Sequence, residues 1–357
     1  MSRVPLDGFR VIRLNANVNP IPPLETELCQ QYGMHAIPVE ATTPEEIIPW
    51  VENCDALFVV AAQLPRPVID SLKQCQLISR LGNGTDKIDV ARAKERGIPV
   101  SNVPFFCLEE MADHAMGMVV SLSRRLPQMS RYMHSGEFLA ARNLGYTLQR
   151  LNTCTLGLVG FGSTGKAVAR RAKAFGMRVM ATRRHLGAPT PDADALGVEM
   201  ADLDTVLRQA DFIVLLLPLN AETYHLIDAT ALSKMKPTAQ LINIARGAIT
   251  DEQALAAALR EGRLAGAALD TFKEIEIFTD HEAPPQHPLM DLDNAILTPH
   301  VAALSAQAVN EVSVTGVQNM ATVLNGHWPH PDHIVNKGVV PNFPLAAYDP
   351  AFLASLG

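Results

Sequence analysis

The chain has 357 residues, 48% of them hydrophobic and 19% charged, with a formal net charge of −7. That length allows two domains with separate cores, and the acidic balance excludes a broad nucleic-acid-binding surface. The five cysteines (29, 54, 75, 107 and 154) include no C-x-x-C pair, the opening MSRVPLDGFR has no apolar centre, and no apolar run reaches the roughly 20 residues of a membrane span. We therefore expect a cytoplasmic protein with reduced thiols and neither a disulfide framework nor a zinc site.

Residues 1–108 read as a first α/β unit. Val11, Ile12 and Leu14 mark a strand, a helix follows Pro23 and ends near Gly33, and short buried strands are predicted at 56–61 and 77–81. The last of these runs into LGNGTDKID and then a helix through Ala91 and Lys94, closed by Gly97. Alternating strands and helices imply a parallel sheet, whose ligands sit beyond the carboxyl ends of its strands. Gly82-Asn83-Gly84 lies at such an end. Its backbone N–H groups can form an anion nest for a carboxylate, although the same tripeptide is also an ordinary turn. Residues 108–125 form a predicted helix that bridges to a second unit, and 131–150 read as helix plus loop.

The stretch TLGLVGFGSTGKAVARRAKAFGMRVMATRR, residues 155–184, reads as strand, glycine turn, helix and strand. Gly160, Gly162 and Gly165 make G-x-G-x-x-G directly after the first strand. The first glycine suits a tight turn, the second lets backbone approach a pyrophosphate, and the third lets helix and strand pack closely. The following helix start favours negative charge. Arg183 stands 18 residues after Gly165, close to the spacing of about 20 at which NAD-binding proteins carry an acidic residue for the ribose. Here Arg183 and Arg184 occupy that edge. Two guanidiniums there suit a 2′-phosphate, so we expect NADP(H) in preference to NAD(H).

Further strands are predicted at 211–218, 241–244, 265–269 and 296–297, with a helix over 251–262. A last helix over 306–324 is expected to return to the first domain, and the proline-rich tail from Trp328 has no clear pattern. Arg246, Asp270 and His300 each fall at a strand end. Singly, such residues are ordinarily a solvated charge or a structural histidine. Together they suit hydride transfer to a 2-oxo acid: a cation holds the carboxylate and polarises the carbonyl, an acid protonates the new alkoxide, and a carboxylate orients that acid.

From Leu77 to His300 the chain resembles the D-isomer-specific 2-hydroxyacid dehydrogenases, through LGNGTDKID, GIPVSNVP, EEMADHA, GFGSTG, LLPLNAET, INIARG, EGRLAGAALD and LTPH. The resemblance implies an α/β fold of two Rossmann-like parallel-sheet domains. One is a split, flavodoxin-like substrate domain, residues 1–108 with 305–357; the other is an inserted dinucleotide-binding domain, 109–304. It further implies that Arg246 binds carboxylate and carbonyl, that His300 is the general acid in reduction, and that Asn83 and Gly84 meet the carboxylate through backbone amides. Ser163 and Thr164 would sit at the pyrophosphate, Pro218 and Thr223 along the cofactor, and Asp270 near the nicotinamide carboxamide. A homodimer is also implied.

The chain departs from the family pattern at the glutamate that pairs with the histidine, whose expected position is Ile275. Glu274 and Glu276 flank it, and Glu274 is preferred because a one-residue deletion aligns it. A glutamate out of register would leave His300 without its partner. That possibility keeps open an NADP(H)-binding, corepressor-like scaffold with little turnover. Phosphite oxidation is a further alternative, which needs additional cations near the substrate; Arg66 and Arg80 are the first-domain arginines nominated for it.

Overall fold

A computed structural model describes residues 6–15, 20–273, 275 and 285–356. The chain divides into two compact units, Met1–Phe106 with Ser305–Gly357, and Cys107–Leu304.

The first unit contains β1 (Val11–Leu14), α1 (Pro23–Gln31), β2 (Ala36–Val39), α2 (Pro44–Val51), β3 (Ala56–Val59), α3 (Arg66–Ser71), β4 (Leu77–Arg80), α4 (Val90–Glu95) and β5 (Val100–Ser101). Its sheet has the order β2-β1-β3-β4-β5 and every pairing is parallel. This is the flavodoxin-like order, which reverses direction between β1 and β3. Four-residue strands such as β1 and β3 are buried along their whole length, as expected of a parallel sheet covered on both faces.

Two elements of this unit are absent from the sequence reading because proline interrupts them. β2 carries Pro38 and is tolerated as an edge strand. α2 carries Pro49 internally but starts with a capping box, in which Thr43 and Glu46 satisfy each other's backbone N–H groups. Arg13 on β1 points inward and pairs with Glu25 of α1 at 3.0 Å.

The second unit begins with α5 (Leu108–Ser123), α6 (Leu126–Ser135) and α7 (Phe138–Gly145). The last two replace the expected helix plus loop. There follow β6 (Thr155–Val159), α8 (Ser163–Ala174), β7 (Arg178–Thr182), α9 (Pro191–Leu196), β8 (Glu199–Met200), α10 (Leu203–Gln209), β9 (Phe212–Leu215), α11 (Ala229–Lys234), β10 (Gln240–Asn243), α12 (Glu252–Arg260), β11 (Gly266–Leu269) and β12 (Ala295–Leu297).

The seven strands run in the order β12-β11-β10-β9-β6-β7-β8, all parallel. That is the Rossmann order with one strand added, and it reverses direction between β6 and β9. The chain then returns to the first unit with α13 (Ala306–Leu324), which packs on α1, and α14 (Pro350–Leu356). Among the described residues no helix is long and apolar enough to cross a membrane.

Candidate functional site

The glycine turn lies where the second sheet reverses direction. Gly160 has φ +112°, and a Cβ on it would lie 2.7 Å from the Leu216 carbonyl oxygen at the end of the adjacent strand, so only glycine fits. A Cβ on Gly165 would meet the Gly160 carbonyl at 2.6 Å, whereas one on Gly162 would point into open space. α8 starts at Ser163 with no side-chain cap. Its first N–H groups and the open face of Gly162 fit a pyrophosphate. Gly160, Gly162, Ser163, Thr164 and Gly165 are the residues that would hold it.

Arg183 and Arg184 follow β7 directly. Arg183 donates from Nη2 to the carbonyls of Ala188 and Pro189, and its buried Nε has no partner among the described residues. Arg184 pairs with Glu222 at the surface. Thr223 donates to the Pro218 carbonyl at 2.7 Å and accepts from the Asn220 N–H, so both predicted contact residues belong to one tight turn after β9.

Arg246, Asp270 and His300 follow β10, β11 and β12, three adjacent strands. Each lies one to three residues beyond its strand. The buried Asn243 side chain shapes the first turn: its Nδ2 donates to the Arg246 carbonyl at 2.9 Å and its Oδ1 accepts from the Ala245 N–H at 3.0 Å. Arg246 itself donates from Nη1 to the Ala245 carbonyl.

Asp270 is fully buried, and its carboxylate oxygens accept from Thr298 Oγ1 at 2.6 Å and from the Val301 and Ala302 N–H groups at 2.9 Å. Its carbonyl accepts from the His300 N–H at 2.8 Å. His300 is held at φ +56°, a left-handed conformation that costs a non-glycine residue roughly 1–2 kcal/mol. His114 of α5 reaches this network through Thr298 at 3.1 Å. The sequence reading assigned no role to His114, Thr298 or Asn243, although the quoted EEMADHA, LTPH and INIARG contain them. Glu274 and Glu276 lie outside the described residues.

In the first unit the tripeptide after β4 is an organised turn. Gly82 has φ +137°, accessible to glycine. Arg80 donates to the carbonyls of Leu81 and Gly84, Val103 N–H to that of Gly82, and Asn102 Nδ2 to that of Asn83. Four successive carbonyls are thus taken. The N–H groups of Asn83 and Gly84 have no partner among the described residues, leaving two donors that an anion nest would use. Arg66, nominated only for the phosphite alternative, is largely exposed and pairs with Asp70 and Glu95, both at 3.8 Å. Arg80 is likewise committed to backbone carbonyls.

The fold and the glycine turn define a dinucleotide-binding α/β protein of the Rossmann type. Residues 116–302 match the family described as D-isomer specific 2-hydroxyacid dehydrogenase, NAD binding domain. A glyoxylate reductase of Korarchaeum cryptofilum is 36% identical over 302 residues, covering 82% of this chain and 86% of that one. A D-3-phosphoglycerate dehydrogenase of Methanocaldococcus jannaschii is 34% identical, covering 87% of this chain and 57% of that one. Among solved structures, an NADPH-dependent glyoxylate/hydroxypyruvate reductase of Sinorhizobium meliloti, in complex with NADP and malonate, superposes with a TM-score of 0.78. Its identity is 28%, over 96% of this chain and 100% of that one. The chain belongs to the D-isomer-specific 2-hydroxyacid dehydrogenases, a family of nicotinamide-dependent oxidoreductases.

Proposed function

We propose that the protein reduces a small 2-oxo acid of the glyoxylate/hydroxypyruvate type to the D-2-hydroxy acid, with NADPH preferred over NADH. The observation that carries this reading is the position of Arg246, Asp270 and His300 beyond three adjacent parallel strands, the edge at which α/β sheets build their sites. When bound, the nicotinamide supplies the hydride.

Arg246 holds the carboxylate and polarises the carbonyl, placing a fixed positive charge where negative charge develops on oxygen. His300 delivers the proton to that oxygen. Asp270 holds the turn that carries His300 and, in this reading, also lies near the carboxamide. Glu274 partners His300, and the N–H groups of Asn83 and Gly84 receive the substrate carboxylate.

Residues 1–108 with 305–357 serve as substrate domain and 109–304 as cofactor domain. Arg183 and Arg184 meet the 2′-phosphate, and Pro218 and Thr223 flank the cofactor. The relative in Sinorhizobium supports NADPH by its name. We place the protein in the cytoplasm, a reading supported by five buried cysteines that form no disulfide among the described residues. A homodimer is supported by Leu126, Met133, Phe138, Leu139 and Tyr146, exposed apolar residues on or beside α6 and α7.

The test follows NADPH absorbance, and separately NADH, with glyoxylate, hydroxypyruvate, pyruvate and phenylpyruvate. Oxidation mainly of NADPH by at least one acid is expected. Tight NADPH binding without turnover with any acid would overturn the reductase.

A further inference from the structure

The second unit buries a second carboxylate, and the proposed chemistry does not use it. Glu252 lies in the first turn of α12 and is 6% exposed. Its Oε1 accepts from the Lys273 N–H at 3.1 Å, and its Oε2 meets His287 Nε2 at 2.8 Å. His287 is also buried, and its Nδ1 accepts from the Leu289 N–H at 3.4 Å. With Nδ1 an acceptor, the ring proton belongs on Nε2, which donates to Glu252. The carboxylate thus has a donor on each oxygen. Burying a charged group costs stability that apolar packing would not, so its retention calls for another explanation.

Its neighbours supply one. The Phe272 ring meets the His287 ring edge-on, with centroids 5.7 Å apart. The Phe272–Lys273 backbone lies against Gly247 so closely that a Cβ there would be 2.2 Å from the Phe272 carbonyl carbon and 2.4 Å from the Lys273 nitrogen. Gly247 is the residue after Arg246. One face of the Arg246 turn is therefore set by Asn243, and the other by a peptide that Glu252 holds through its N–H.

We propose that Glu252 and His287 form a positioning pair for Arg246, fixing the backbone wall that sets the depth of its guanidinium. This rests on the reading of Arg246 as the cation that holds the substrate carboxylate.

The experiment measures the inhibition constant of oxamate, an unreactive 2-oxo acid analogue, in His287→Ala, Glu252→Gln and His287→Gln, together with KM and kcat for the oxo acid, the Kd for NADPH and Tm. His287→Ala is expected to weaken oxamate and raise the oxo acid KM at least about tenfold, the size of one lost hydrogen bond to a charged group, with the NADPH Kd unchanged. Glu252→Gln, which keeps an oxygen for Lys273, should give a smaller shift in the same direction. His287→Gln, which keeps a donor, should recover most of the affinity.

In an Arg246→Ala background the His287 change should add nothing to the loss of oxamate affinity. Unchanged oxamate binding in both His287→Ala and Glu252→Gln would overturn the pair's role. So would parallel losses of oxamate and NADPH affinity that follow Tm. Unchanged oxamate binding in Arg246→Ala alone would instead remove the reading beneath the proposal.

Discussion

His300 and Asp270 are tied through the main chain: the His300 N–H donates to the Asp270 carbonyl at 2.8 Å, while the Asp270 carboxylate accepts from the next two N–H groups, Val301 and Ala302. One buried carboxylate therefore holds a left-handed residue in place. Asp270→Asn puts an amide N–H against at least one of these donors. We expect a loss of about 1.5–3 kcal/mol, seen as several degrees in Tm, and a kcat at least tenfold lower. Wild-type Tm and kcat together would contradict this role.

Removing the acid and the cation gives separate signatures. His300→Ala and Arg246→Ala should each lower kcat/KM by at least about 10²-fold, the lower end for a general acid. Near-normal turnover by His300→Ala would refute its assignment as proton donor. Arg246→Ala should in addition raise KM, because a carboxylate contact acts in the ground state as well.

Cofactor choice is carried by the end of β7. Arg183→Ala removes a charge-assisted phosphate contact in our reading. NADPH should weaken by about 1.5–3 kcal/mol, roughly 10- to 150-fold, with NADH nearly unaffected. Fluorescence titration with both cofactors is the check, and equal weakening would refute a 2′-phosphate site at Arg183.

Stability should fall in mild acid through His333, which joins the C-terminal segment to α13 by a 2.9 Å bond to Asn319. Burial, with the nearby His330 adding to it, holds the His333 pKa below the ordinary value of 6.5. The fold therefore favours the neutral ring. Its contribution is complete above the unfolded pKa and is lost as pH falls from there through the folded one. Melting curves from about pH 7.5 to 5 should show a smaller decline for His333→Gln than for the unaltered chain. An identical decline would exclude His333 as a contributor.

What the sequence by itself determined is whatever depends on near neighbours in the chain. The strand, glycine turn and helix at Gly160 were legible because their requirements fall within ten residues, and the parallel alternation because fully buried strands must be apolar along their length. Arg246, Asp270 and His300 were legible as polar residues at strand ends, and the family resemblance added their individual roles. Only the tertiary structure decided what holds them. Thr298 meets Asp270 across 28 residues and His287 meets Glu252 across 35. No periodicity marks such partners, since a single buried hydrogen bond depends on where two loops arrive rather than on any local pattern. The same holds for Arg80, nominated from the sequence only as a cation for phosphite, whose guanidinium turns back onto the carbonyls of Leu81 and Gly84. Its guanidinium was legible as charge, but its direction was set by the donors and acceptors that folding placed around it.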